Sequence, residues 1–159
     1  MRIAAVQMLS SADPAANLAT VVERTAEAAA LGAQLVVFPE TFLSLYPSYA
    51  WAHLPASGAQ GDEFWERFWG SSVAVDGPEV GTLVEACREH DVHVAIGVNE
   101  REDDRPGSVY NSLLLLGPDG LRDAGVEVED HGRGLHGSHA DHGELRLHGH
   151  GRHARPRNR

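Results

Sequence analysis

The chain contains no lysine, so all 13 of its basic residues are arginines, against 23 acidic residues. Its formal net charge at pH 7 is therefore -10. Nucleic acids and anionic membranes are bound chiefly through clustered lysines and arginines. The charge balance thus argues against either of them as the main partner.

Cysteine and long apolar runs are also scarce. The single cysteine, Cys87, excludes an internal disulfide and favours a reducing compartment. Residues 1–8 turn polar too soon to form the apolar part of a signal peptide, and no apolar run approaches membrane-spanning length. We therefore expect a cytoplasmic protein with no membrane partner.

The first 120 residues follow an α/β pattern. Asp13-Pro14 and Gly32 are the residue types that begin and end a helix. Short β-branched runs predict strands, and apolar residues at three- and four-residue steps predict helices. The predicted strands are 3–8, 35–38, 92–98 and 109–116, and the predicted helices are 14–31, 62–69 and 78–90. This order predicts one α/β domain whose sheet is covered by helices on at least one face.

The most informative segment is the apolar run 35–38, which ends in Pro39-Glu40. A buried strand here would hold a carboxylate at its tip, where α/β proteins usually place their chemistry. Glu40 could also be a capping or ion-paired carboxylate, although a glutamate directly after a buried Phe-Pro strand end is unusual without a functional reason. The following segment 41–61 is irregular and aromatic-rich, which is typical of a functional loop. Its Tyr46 and Trp51 could line a pocket or simply pack against the domain.

Several segments match one family in their order and spacing. They are residues 3–7 (IAAVQ), 35–42 (LVVFPETF), 45–47 (LYP), 109–112 (VYNS) and 117–120 (GPDG). The chain over about residues 1–120 thereby resembles the nitrilase or carbon–nitrogen hydrolase superfamily. The loop from Tyr46 to Trp51, Phe68-Trp69 and residues 97–101 (GVNER) are more similar to true nitrilases than to the amidase branch.

The resemblance implies an α-β-β-α sandwich, of which this chain would hold the N-terminal half. It also implies a catalytic glutamate, lysine and cysteine: the thiolate attacks the nitrile carbon, the glutamate acts as a general base, and the lysine stabilises the developing charge. Water then releases a carboxylic acid and ammonia. The implied substrate is a small nitrile, or an amide in the amidase branch. The reaction needs no cofactor, and the family commonly forms homo-oligomers.

Only one member of this catalytic set has a counterpart here. The glutamate corresponds to Glu40, and a buried carboxylate would suit the role of base. The turn at 117–120 is followed by Leu121-Arg122-Asp123 where the family has its lysine. Cys87 precedes the strands at 92 and 109, so we expect a core residue rather than the nucleophile. Tyr46 and Trp51 are the candidate substrate-binding residues, and this chain is expected to be inactive.

Residues 121–159 have a different composition, with seven of the ten histidines, seven arginines and seven glycines. Such a segment buries too little apolar surface to offset its ordering entropy, so we expect it to be mostly disordered. Three explanations stay open: a departure from the ancestral reading frame near Gly120, a metal-binding histidine-rich tail, or a solvated tail without a role. Pairs such as His136 and His139 could bind metal, but their spacing is irregular for zinc, and we predict no metal site.

Overall fold

A mixed sheet of five strands organises the molecule. The structure, a computed structural model, describes residues 1–44, 59–102 and 108–127. In chain order its elements are β1 (Ile3–Ala5), α1 (Pro14–Ala30), β2 (Leu35–Val37), α2 (Ala59–Ser71), α3 (Pro78–His90), β3 (His93–Arg101), β4 (Val109–Gly117) and β5 (Gly120–Glu127). The α/β class predicted from the sequence is confirmed.

The strands lie side by side in sequence order. β1, β2 and β3 are mutually parallel, with Leu35 opposite both Ile3 and His93. β4 and β5 continue the sheet in antiparallel fashion, with Leu116 of β4 opposite Val94 of β3. Parallel neighbours need a crossover connection. Here α1 joins β1 to β2, and the chain from β2 to β3 includes α3.

Both ends of α1 are fixed by the residues that the sequence singles out. The Asp13 carboxylate accepts hydrogen bonds from the backbone N–H groups of Ala15 (3.0 Å) and Ala16 (3.4 Å). At the other end Gly32 has a φ of +82°, and the Ala33 N–H donates to the Ala28 carbonyl (3.0 Å). This is a Schellman ending, for which glycine is the favoured residue. The predicted helix boundaries are confirmed here.

The core lies between the sheet and the two helices α1 and α3. Its buried side chains are Val21 and Ala28 of α1, Val80, Leu83 and Cys87 of α3, and Val36, Val94, Ile96, Val98, Leu114 and Leu116 of the sheet. Cys87 is completely buried, which confirms its expected place in the core. One helical layer on one sheet corresponds to the α-β half of the predicted sandwich.

Strand β5 was not expected from the sequence. It continues β4 through the turn at Pro118-Asp119, with Gly117 opposite Gly120. Its pairing depends on backbone hydrogen bonds to β4, and of its side chains Ala124 packs against the core. A polar edge strand of this kind has no apolar alternation to reveal it. Residues 128–159 lie outside the described residues, so the division near residue 120 and the disordered tail stay predictions.

The sheet face opposite α1 and α3 exposes apolar side chains. Leu113 alternates with the core residue Leu114 and is 55% exposed, and Ile3 of β1 is 53% exposed. Leu35 and Leu115 on the same face are half-buried. Exposed apolar side chains on a sheet face are candidate sites of interaction or aggregation.

We therefore predict that the protein self-associates and that Leu113→Lys reduces the association. The change should leave the free energy of unfolding nearly unchanged, because the side chain is already largely exposed. Sedimentation velocity at a series of concentrations measures the effect. The matched control is Leu31→Lys, since Leu31 is 76% exposed at the end of α1, away from the sheet face. A wild-type protein that stays monomeric would contradict the prediction.

Candidate functional site

Glu40 lies just beyond the end of β2, in a segment that runs alongside β3. The Phe38 N–H donates to the Ala95 carbonyl (2.8 Å), and the Phe42 N–H donates to the Gly97 carbonyl (3.0 Å). Both phenylalanine side chains are buried, with ring centroids 6.1 Å apart. Glu40 stands between these two anchors, and its own side chain is exposed.

Gly97 makes room for this segment. A Cβ atom at Gly97 would lie 2.6 Å from the Cα of Glu40 and 2.8 Å from the nitrogen of Thr41. Both distances are far below van der Waals contact, and both are to backbone atoms. Only glycine lets the two segments approach so closely.

Thr41 has an unusual conformation directly after Glu40. Its φ is +47°, in the left-handed region that a β-branched residue rarely adopts. Its side chain is buried, and its hydroxyl has no hydrogen-bond partner in the described part of the chain. Strained backbone and an unsatisfied hydroxyl beside a carboxylate are features that cluster at functional sites.

Asn111 of β4 contacts the carboxylate itself. Its side-chain Nδ2 donates to Oε1 of Glu40 at 2.5 Å, across 71 residues of sequence. In the sheet Asn111 lies opposite Asn99 of β3, two residues along from Gly97. The structure thus brings four residues together: Glu40, Thr41, Gly97 and Asn111.

Two of these observations depart from the sequence analysis. Glu40 is exposed rather than buried, because Phe38 and Phe42 occupy the inward positions on either side of it. Asn111 and Gly97 contributed only to the resemblance there, although a polar residue beside an apolar strand run is a usable signal. Tyr46 and Trp51, the other candidate site residues, lie outside the described residues.

A second polar group is buried at the neighbouring ends of β3 and β4. The Ser112 hydroxyl donates to Oε2 of Glu100 at 2.7 Å, and both side chains are 1% exposed. The adjacent Arg101 guanidinium donates to the Ser72 carbonyl, and the Val73 N–H donates to the Asn99 carbonyl (2.8 Å). Buried polar groups require such partners. The bonds at Ser72 and Val73 hold the chain just after α2 against β3.

Cys87 is unsuited to nucleophilic attack. It belongs to the layer of helices on one side of the sheet, and burial raises the pKa of its thiol to about 11. The thiolate is the reactive form of cysteine, so a raised pKa leaves the thiol inert at neutral pH.

The described ranges contain no cluster of three or more histidine, cysteine, aspartate or glutamate side chains that could hold a metal ion. The histidine pairs of the C-terminal segment, His136 and His139 among them, lie outside those ranges. Within the described chain, no helix has the length and apolar character needed to cross a membrane.

A family model, Carbon-nitrogen hydrolase, matches residues 2–131. The chain belongs to the carbon–nitrogen hydrolase family. An aliphatic nitrilase from Rhodococcus rhodochrous is 36% identical over 108 residues, covering 68% of this chain and 28% of that relative. A nitrilase from Paraburkholderia phymatum is 39% identical over 124 residues, covering 77% of this chain and 34% of that relative. The chain thus spans about a third of the length of these relatives.

Two solved structures share the fold of this chain. The C. elegans NitFhit protein matches 80% of this chain and 27% of its own with a TM-score of 0.60 at 19% identity. A Nesterenkonia AN1 amidase from the nitrilase superfamily matches 87% of this chain and 45% of its own with a TM-score of 0.56 at 22% identity. At these identities the likeness shows the fold alone. The resemblance read from the sequence is confirmed, and the family match extends past Gly120.

An alanine variant is usually more stable than a glycine variant at the same position. The left-handed backbone at Thr41 should reverse this order of stability. Thr41→Ala and Thr41→Gly remove the same hydroxyl and methyl groups, so their difference isolates the backbone. We expect Thr41→Gly to be more stable by about 1 kcal/mol, because a Cβ is disfavoured at positive φ. Urea unfolding measures both variants.

Thr25 of α1 is the matched control, since it too is a buried threonine but lies in a helix. There Thr25→Ala should be the more stable variant by about 1 kcal/mol, because glycine is a poor helix former. The same order at both positions would contradict the left-handed conformation of Thr41.

The buried thiol should make stability fall at high pH. The folded state holds the Cys87 proton more tightly than the unfolded chain, whose thiol has the ordinary pKa of 9.0. The stabilisation is fully present below pH 9 and is lost as the pH rises toward 11, by at most about 1.4 kcal/mol per pH unit. Urea unfolding between pH 8 and 11 measures it. Cys87→Ala should show a shallower fall, and parallel curves for the two proteins would contradict the prediction.

Proposed function

We propose that this chain carries the general-base part of a nitrilase-type active site, with Glu40 as the base. The observation that carries the proposal is the fixed carboxylate: its Oε1 is bound by Asn111, and Oε2 has no hydrogen bond within the described residues. A carboxylate held by one oxygen and open at the other can accept a proton at a defined position. Its place, just after a parallel strand, is where α/β proteins position reactive groups.

The reaction we assign to the site is hydrolysis of a nitrile to a carboxylic acid and ammonia. Nitrilases are the relatives with 36% and 39% identity, whereas the amidase resembles this chain at 22% identity and supports only the fold. In this reaction a thiolate adds to the nitrile carbon, a first water replaces the nitrogen, which leaves as ammonia, and a second water releases the acid. Glu40 would take the thiol proton at Oε2, pass it to the nitrogen, and then activate each water in turn. An amide substrate is the alternative within the same superfamily.

We further propose that the 159-residue polypeptide alone does not complete this reaction. It contains no lysine, and its one cysteine is buried among the helices. The base is therefore present without the other two groups of the family's catalytic set. Tyr46 and Trp51 stay candidates for the substrate pocket, and the cytoplasm stays the proposed location.

An ammonia-release assay with a panel of nitriles and amides tests the absence of turnover. We expect wild type and Glu40→Gln to give the same background rate, because neither has an accessible thiolate or a lysine. Ammonia release that requires Glu40 would overturn the proposed inactivity while supporting the base.

Ligand mapping tests the site itself. Small nitriles added at millimolar concentration to ¹⁵N-labelled protein should shift the amide signals of Thr41, Gly97 and Asn111. Glu40→Gln serves as the control for a charge-dependent effect. Shifts confined to residues remote from Glu40 would contradict the assignment of this site.

A further inference from the structure

The two neighbours of Glu40 occupy related positions in the sheet. Gly97 lies opposite Leu113, and Asn111 is two residues from Leu113 on the same strand. Side chains two residues apart in a strand share a face, so Gly97 and Asn111 are diagonal neighbours on one face. It is the face opposite α1 and α3, since the alternate residues Ile96, Val98 and Leu114 belong to the core.

We propose that Gly97 and Asn111 are positioning residues for Glu40, the first acting on its backbone and the second on its carboxylate. Gly97 allows residues 40 and 41 to rest directly on β3. Asn111 then binds one carboxylate oxygen, so that the other is the oxygen that accepts the proton. The catalytic purpose of this arrangement rests on the proposed function, whereas the arrangement itself does not.

The Gly97 contact cannot be replaced by a small side-chain adjustment. The atoms that a Cβ would strike are the Cα and carbonyl carbon of Glu40 and the nitrogen of Thr41, at 2.6, 3.1 and 2.8 Å. Backbone atoms move only if the segment moves. Yet this segment is anchored on both sides by hydrogen bonds to β3, at Phe38 and Phe42. A methyl group at position 97 must therefore displace Glu40 or break one of these anchors.

The Asn111 contact fixes which oxygen is free. An ionised carboxylate only accepts hydrogen bonds, so the atom of Asn111 that faces it must be the amide nitrogen. The amide nitrogen lies 2.5 Å from Oε1. Oε2 is left without a partner among the described residues. Asn111 thus selects Oε2 as the site of proton transfer.

The test uses the side-chain amide signal of Asn111 in ¹⁵N NMR spectra of the full chain, assigned by its loss in Asn111→Asp. In wild type this signal should move with pH as the carboxylate gains its proton, and in Glu40→Gln it should not. Gly97→Ala should reduce the movement to less than about half, because hydrogen bonds weaken steeply as their geometry is lost.

Gly125→Ala is the matched control. Leu113 of β4 pairs with Gly97 of β3 on one side and with Gly125 of β5 on the other. A Cβ at Gly125 meets no atom within 4 Å. This variant should keep the full wild-type movement. A purely structural role for Gly97 would lower stability without changing the Asn111 signal in the folded protein.

A second measurement covers the case in which Gly97→Ala does not fold. In wild type, the α protons of Gly97 should give a strong nuclear Overhauser effect to the α proton of Glu40. Its absence overturns the role of Gly97, and a pH-independent Asn111 signal in wild type overturns that of Asn111. If both signals are present while nitriles cause no shift at the site, the positioning stands and the proposed function fails.

Discussion

Two backbone hydrogen bonds hold the segment on which the candidate site depends. Phe38 and Phe42 donate to Ala95 and Gly97 of β3, which is the central strand of the sheet. Between them the chain has only three residues in which to leave the sheet and return. In an ordinary β conformation the chain would continue straight along the sheet. Its return to β3 therefore requires a sharp local turn, which Thr41 forms with a φ of +47°. The exposed position of Glu40 follows from this turn.

The energetic balance explains why the strained turn persists. A left-handed β-branched residue costs about 1–3 kcal/mol, and an unsatisfied buried hydroxyl costs a similar amount. Burial of Phe38 and Phe42 contributes about 1.5–3 kcal/mol for each side chain, and two backbone hydrogen bonds add about 1 kcal/mol each. Gain and cost are thus of the same size. The turn persists because the burial and hydrogen bonds of Phe38 and Phe42 offset the cost at Thr41. Glycine at position 97 avoids a further steric cost.

The sequence predicts those features that depend on local chemistry. Asp13-Pro14 and Gly32 mark the ends of α1 because capping involves residues only a few positions apart. Strand β5 was not predicted because it is stabilised by pairing with β4 and has no apolar pattern of its own. The contact between Asn111 and Glu40 spans 71 residues and depends on the register of β4 against β3. Periodicity does not encode register, so the strand-end carboxylate could be predicted but its partner could not.

Preorganisation of the proposed base, Glu40, is separable from the other two groups that the proposed reaction needs. The groups that fix Glu40 are the anchors at Phe38 and Phe42, the space at Gly97 and the amide of Asn111, all of which belong to this chain. None of them is a lysine or a thiol. A general base contributes to a rate only if its geometry exists before the reaction begins, because reorganisation during the reaction would cost part of the gain. In this sheet that geometry is set by the backbone of β3 and one side chain of β4, so it does not require the nucleophile to be in place.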